Sequence, residues 1–191
     1  RKLSDELISR ANKLSDKRRD AKNKIEKEII NELKFLGFLH PLFEIKITEK
    51  ELSVNGKDDI EFYFSSNPGE PPKPLIKIAS GGELSRLMLA LKCVELKLAK
   101  SSVKSMTLIF DEIDAGIGGS IAENIGRRLK ELSNHHQVLC VTHLPQIAAQ
   151  AQHHLKVEKV TLDNKTVVKI EVLVGIKRKE EIARMLSGRI T

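Results

Sequence analysis

The amino-acid sequence predicts an α/β fold led by one long amphipathic helix, on three observations. Apolar residues recur every three or four positions from Leu3 to Leu36. Two short, continuously apolar runs, Thr107 to Phe110 and Val138 to Val141, end in polar residues and are separated by a helical pattern, which is a βαβ rhythm. Between the long helix and the first of these runs the apolar period is two, the spacing of half-buried strands. With 191 residues, 40% hydrophobic and 4% aromatic, the chain suits one globular domain with an appended helix.

The elements follow in chain order. Leu3, Leu7, Ala11, Leu14, Ala21, Ile25, Ile29, Leu33 and Leu36 form a narrow seam among charges of both signs. That pattern fits one arm of an antiparallel coiled coil, interrupted at Arg18. After Gly37 and Pro41, Phe43, Ile45 and Ile47, then Leu52 and Val54, then Ile60, Phe62 and Phe64 read as strands, with Asn55-Gly56 a turn between them. The Pro- and Gly-rich stretch from Ser65 to Pro74 is a surface loop. Helical spacing returns with Leu84, Met88, Leu91, Glu95 and Leu98, directly after Ser80-Gly81-Gly82. Ser120 to Glu123 has the form of a capping box for a helix carrying Ile121, Ile125, Leu129 and Leu132, and Pro145 suits a helix's first turn. Leu155 to Val160 and Thr166 to Val174 form a hairpin around Asp163-Asn164, and Glu180 to Leu186 a short helix stopped by Gly188. Domain boundaries are placed at 1–37 for the helical arm and 38–191 for the globular part.

Composition narrows the classes of function. A formal charge of +7 and a pI near 9.4 permit a polyanionic partner without specifying one. Cys93 and Cys140 lie in apolar stretches without CxxC spacing and are expected to be reduced core thiols. No apolar run approaches the roughly 20 residues of a membrane span, and Arg1 to Arg10 does not form a signal peptide, so a cytoplasmic protein with no membrane partner is expected. The chain begins at Arg1, without methionine and inside a helical pattern, as a piece of a longer protein would.

Three short segments carry chemistry. Thr107-Leu108-Ile109-Phe110 delivers Asp111 and Glu112 to the carboxyl end of a strand, where open α/β sheets bind ligands. There Asp111 can serve Mg²⁺ through water, and Glu112 can orient or deprotonate a water attacking a terminal phosphate. Ser80-Gly81-Gly82 opens a helix, where backbone N–H groups and the positive end of the helix dipole favour an anion. The plainer role of Ser80 is to cap that helix. His143, after the second apolar run, can hydrogen-bond a γ-phosphate or the attacking water. The adjacent pairs His135-His136 and His153-His154 point apart in regular structure and lack spaced acidic or cysteine partners, so no metal is assigned to them.

The order of these segments resembles that of an ABC-type P-loop NTPase head. Ala79 to Glu83 resembles the signature motif, Thr107 to Glu112 the Walker B strand with its catalytic glutamate, Ile113-Asp114-Ala115-Gly116 a D-loop, and His143 the switch histidine. The runs IASGGELSRLMLALK, TLIFDEIDAGIGG, QVLCVTHLPQIAAQA and EEIARMLSG, with NPGEPPKPL upstream, resemble the RecN family of bacterial DNA repair proteins, relatives of the SMC proteins. The resemblance covers nearly all of the chain after the first helix, and it makes the chain the C-terminal lobe of a head preceded by the returning coiled-coil arm.

What the resemblance implies is an ATP hydrolase acting in recombinational repair of double-strand breaks, with ATP and Mg²⁺ as its ligands. Ser80, Gly81, Gly82 and Glu83 would meet the ATP held by the opposite head of a homodimer. Asp111 would serve Mg²⁺, Glu112 would be the general base, Asp114 would bridge the heads and His143 would sense the γ-phosphate. The sequence contains no GxxxxGK[ST] loop; in the family that loop lies in the N-terminal half, which is therefore an expected partner, together with DNA and a nucleoid-associated location. Two alternatives stand beside this reading. One is the ATPase subunit of a transporter, against which Glu83, where transporters usually carry glutamine, and the long first helix both argue. The other is a non-catalytic dimerisation or DNA-binding module.

Overall fold

The computed structural model describes residues 2–78, 80–99, 104–162 and 165–187. It divides into two compact units, Arg1–Val103 and Lys104–Thr191. The long helix therefore shares a unit with the strands and helix that follow it.

In the first unit, helix α1 runs from Lys2 to Phe35, roughly 50 Å at 1.5 Å per residue. Residues 2–10 are exposed, and from Ala11 onward one side is buried at Ala11, Ser15, Ile29 and Leu33. The helix stops because Gly37 takes a positive φ of 96°, which lets the Gly37 N–H reach Lys34 O and the Phe38 N–H reach Leu33 O. That is a Schellman cap, and its glycine avoids the Cβ penalty of left-handed backbone.

Strands β1 (Leu42–Ser53) and β2 (Gly56–Ser65) pair antiparallel, with Phe43 opposite Phe64, Ile45 opposite Phe62 and Ile47 opposite Ile60. Two expectations are corrected here. The Leu52–Val54 run is the end of β1 and its turn rather than a separate strand, because a bulge between Glu49 and Ser53 carries the strand on and leaves Val54 fully exposed. The Ser65–Pro74 loop also ends in a short strand, β3 (Lys73–Pro74), paired with Tyr63 and Phe64. At the turn, Gly56 has φ 93° and lies so close to α1 that a Cβ there would stand 3.2 Å from Leu14 and 3.3 Å from Arg18.

Arg18, which breaks the apolar seam of α1, has a structural partner. Its guanidinium donates to Asp58 Oδ2 at 2.8 Å and to the Asn55 carbonyl at 2.9 Å, while the Ser15 hydroxyl donates to Asp58 Oδ1 at 2.6 Å. Asp58 and Ser15 are buried, so this polar cluster clamps the helix to the hairpin. About two turns further along the helix, Glu26 Oε1 accepts the Ile45 N–H at 2.7 Å. Because β1 is the edge of the order β1-β2-β3, that amide has no strand partner on its outer side.

Helix α2 (Gly81–Leu98) packs against α1, and Lys97 pairs with Glu28 across them. Its buried side is Gly82, Arg86, Leu87, Leu89, Ala90 and Val94. The ridge singled out in the sequence, Leu84 and Met88, is instead 36% and 40% exposed. The helix is apolar on more than one side, and the core of this unit takes the Leu87–Val94 side.

In the second unit, β4 (Thr107–Phe110) and β5 (Gln137–Cys140) pair in parallel, in register from Thr107–Gln137 to Phe110–Cys140. The crossover is helix α3 (Gly119–Ser133), which buries Ala122, Ile125, Gly126, Leu129 and Leu132. A continuously apolar run suits a strand buried on both faces, but here Phe110 is buried while Ile109 is 71% and Leu139 43% exposed. With two strands and one crossover helix, one face of the sheet is open. The capping box at Ser120 to Glu123 is also corrected. The helix starts at Gly119 with Gly118 as its N-cap and no side-chain capping bond. Ser120 thus falls inside the first turn, and Glu123 pairs with Arg127 at 2.6 Å.

Helix α4 (Pro145–Ala148) has Pro145 in its first turn and packs on α3 at Gly126, where a Cβ would meet Gln150 Cγ at 2.9 Å and Gln146 O at 3.2 Å. Strands β6 (His154–Leu162) and β7 (Lys165–Leu173) form the expected hairpin; its turn at Asp163-Asn164 lies outside the described residues. Helix α5 (Gly175–Ser187) begins earlier than the Glu180 start expected, and the proposed stop at Gly188 lies outside the described residues. The buried Glu181 of α5 pairs with Arg184 at 2.5 Å and Lys156 at 3.3 Å. Arg178 donates to the carbonyls of Ala148, Ala149 and Ala151, closing the end of α4. Among the described residues no helix is long and apolar enough to cross a membrane.

Candidate functional site

Two places gather the residues singled out in the sequence, one in each unit. In the first unit, Ser80 is the N-cap of α2: its Oγ accepts the Glu83 N–H at 3.4 Å and its carbonyl accepts the Leu84 N–H at 3.0 Å. The capping role read from the sequence is therefore present. Ser80 and Gly81 are exposed, Gly82 is buried and Glu83 is half-buried; Ala79 lies outside the described residues. The 18-residue helix opens on the exposed Gly81, and an anion at a helix start gains from the helix dipole. Arg86, one turn in, is buried with its guanidinium 5.2 Å from the Phe38 ring, and burial lowers its pKa from the ordinary value.

In the second unit, the parallel register places the ends of β4 and β5 side by side, which brings Asp111, Glu112, Asp114 and His143 to one edge. Asp111 Oδ1 accepts the Glu112 N–H at 2.9 Å. Glu112 has φ 55°, the one described non-glycine residue in left-handed backbone. Such a conformation is uncommon outside glycine and Asn/Asp and costs on the order of 1 kcal/mol or more. It turns the chain sharply after the strand and leaves the Asp111 and Glu112 side chains exposed.

The loop continues with Ile113 and Asp114, both buried, then Ala115 and Gly116, both exposed. Asp114 Oδ2 accepts two hydrogen bonds, from the Thr142 hydroxyl at 2.6 Å and from the His143 N–H at 2.9 Å, and lies 3.0 Å from His143 Nδ1. The Thr142 oxygen in turn accepts the Leu144 N–H at 3.0 Å. The Asp114 side chain is 6% exposed and the His143 side chain 73%. Sequence reading missed this junction, since Asp114 and Thr142 are 28 residues apart; a hydroxyl residue beside His143 was its only local sign. Cys140, just below, has its thiol pushed up to about 12 by burial first and by the Asp114 and Asp111 carboxylates second.

The donor set can be tested against Mg²⁺. Among the described residues no three His, Cys, Asp or Glu side chains group as a metal cage. Mg²⁺ commonly takes one or two carboxylates and completes its shell with water and substrate phosphates. The exposed carboxylate of Asp111 at the strand end fits that mode.

No family model matches the chain. It is 46% identical over 189 residues to DNA repair protein RecN of Rickettsia bellii, covering 98% of this chain and 34% of that protein. It is 51% identical over 134 residues to RecN of Xylella fastidiosa, covering 70% and 23%, and 40% identical over 181 residues to RecN of Halalkalibacterium halodurans, covering 92% and 31%. The chain spans about a third of the length of the curated relatives that it matches. Among solved structures, the Smc head domain with a coiled coil and joint from Pyrococcus yayanosii matches 85% of this chain and 29% of its own, at TM-score 0.57 and 20% identity. The Smc head with an extended coiled coil from Pyrococcus furiosus matches 86% and 37%, at TM-score 0.52 and 20% identity. Nearly the whole of this chain is thus related to the C-terminal part of bacterial DNA repair protein RecN, and its fold is like that of the Smc head domains.

Proposed function

We propose that this chain is the C-terminal half of an ATPase head that hydrolyses ATP during recombinational repair of DNA double-strand breaks, with ATP joining two heads and hydrolysis releasing them. The observation that carries the proposal is the strand-end edge, where Asp111, the turned-out Glu112 and the Asp114–His143 pair sit together beyond two parallel strands. Glu112, exposed and held outward by its backbone, would take the proton of the attacking water; His143 would hydrogen-bond the γ-phosphate or that water. Asp111 would hold Mg²⁺, which when bound neutralises charge on the phosphates.

The start of α2 would act on ATP held by the other head. Ser80 caps the helix with a lone pair, which keeps its hydroxyl proton for a phosphate, and Gly81 and Gly82 permit close backbone approach. The exposure of Ala115 and Gly116 supports a contact of this loop with a second head. The phosphate-cradling loop would come from the N-terminal half of the complete protein, with Lys2–Phe35 as the returning arm, and the setting would be the bacterial cytoplasm at the nucleoid.

The test uses the complete protein. Ser80→Arg should leave ATP binding to each monomer intact and abolish ATP-dependent joining of heads, read by sedimentation, because a bulky cation fills the space above the helix start. Joining of heads at the parental ATP concentration would remove Ser80 from the interface and leave it a cap. DNA affinity measured across a salt series should fall steeply, since each neutralised phosphate contributes about −0.9 to the log–log slope.

A further inference from the structure

We propose that Asp114 is a positioning residue for His143, one that fixes which ring nitrogen faces the nucleotide. The inference rests on the reading of the strand-end edge as the hydrolytic site, and adds a task to a residue whose expected role was to bridge two heads. The Asp114 side chain is 6% exposed and therefore turned into its own unit. A buried carboxylate requires hydrogen-bond donors, and here two reach one oxygen, the Thr142 hydroxyl and the His143 backbone amide, while the His143 ring nitrogen Nδ1 lies 3.0 Å from it.

A carboxylate 3.0 Å from Nδ1 favours the neutral tautomer that carries its hydrogen there, because a bare nitrogen would face the oxygen's negative charge, and that tautomer leaves Nε2 as the acceptor. The backbone amide of the same residue, bound to the same oxygen, fixes the ring's position relative to the loop. Thr142 restrains the carboxylate from the other side, and its own oxygen is held by the Leu144 N–H at the start of α4. Because the His143 side chain is 73% exposed, Nε2 is the nitrogen open to a ligand. Neutral His143 then accepts a hydrogen bond from the attacking water, and once protonated it donates to a phosphate oxygen with Asp114 behind it balancing the charge.

The test needs no nucleotide. In the complete protein labelled with ¹⁵N-histidine and held at about pH 8, where an ordinary imidazole is neutral, the His143 resonances are those lost in His143→Gln. They should show a protonated Nδ1 and a bare Nε2. A protonated Nε2 in the parent overturns the proposal without any further variant. Asp114→Ala should release the preference, whereas Asp114→Asn, which keeps an acceptor oxygen, should retain it; an unchanged spectrum in Asp114→Ala also overturns it. In turnover, Asp114→Ala, His143→Ala and the double variant should fall by the same factor, about tenfold or more as for loss of a ring-orienting partner, with Asp114→Asn recovering most of the rate. Losses that multiply in the double variant would show that Asp114 acts elsewhere. Should His143→Ala hydrolyse ATP at the parental rate, the functional reading of the edge falls, and the spectrum still decides the tautomer.

Discussion

Glu112 occupies backbone that most side chains avoid, and the loop keeps it there through the Asp111 carboxylate on its own amide. Strain held at one residue beside an exposed carboxylate is the mark of a group whose direction matters more than its contribution to stability. Exchanging each acid for its amide should separate their tasks. Glu112→Gln keeps size and hydrogen bonding but loses the basic oxygen, so the complete protein should bind ATP and Mg²⁺ while turnover drops by about 10²- to 10⁴-fold, and heads should stay joined. Asp111→Asn should instead weaken Mg²⁺-dependent nucleotide binding, because a neutral amide is a poor partner for a hard dication. Titrations and steady-state rates on both variants decide: parental turnover in Glu112→Gln would take the general base away from this position. The residues of this edge were legible in the sequence because each follows an apolar strand. The bonds between them were not, because hydrogen bonding across strands depends on register, which the runs themselves do not specify.

Elements were legible where a periodic pattern met a strong stop. Helix α1 ends at the Gly37 signal, and the first hairpin turns at Asn55-Gly56, since glycine alone enters left-handed backbone cheaply. Legibility failed where two local rules competed. The Ser120–Glu123 spacing suggests a cap, but the preceding glycines let α3 start at Gly119. The two apolar sides of α2 could not be ranked without knowing which one α1 would cover. Nor did sequence show why Arg18 interrupts the seam, since its partner Asp58 is 40 residues away. That clamp has a measurable cost. Asp58→Ala removes the acceptor of two bonds and should destabilise the chain by about 1.5–3 kcal/mol, the range for hydrogen bonds to a charged group, seen as a lower denaturant midpoint. The Ser15 hydroxyl first, and the Arg18 guanidinium second, hold the Asp58 pKa below its ordinary value. A depressed carboxylate stabilises the fold above its unfolded pKa, and that stabilisation is lost as pH falls through the folded value. The gap between parent and Asp58→Ala should therefore be full at neutral pH and close at pH values below about 4; a gap independent of pH would mean that packing alone, without charge, holds the clamp.

At the scale of the whole chain, apolar surface is left open on the strands of the second unit. Ile109, Leu139 and Val141 are exposed along β4 and β5, as are Leu155, Val157, Ile170 and Val172 on the β6–β7 hairpin, while the chain amounts to about a third of its RecN relatives. The sequence also contains no GxxxxGK[ST] loop to cradle phosphates. Calorimetric titration of the 191-residue chain with Mg-ATP should accordingly give no measurable heat of binding, and micromolar affinity would show that the strand-end edge suffices for the nucleotide. The contact of Glu26 with the Ile45 amide has a consequence for how such a chain fails. That carboxylate occupies the place a neighbouring molecule's carbonyl would take, so a docked α1 acts as a guard against intermolecular β-augmentation along β1. Undocking the arm, by heat or by loss of its clamp, uncovers a strand border that can recruit another copy. Aggregation of this protein should then begin where α1 leaves β1, at the first unit.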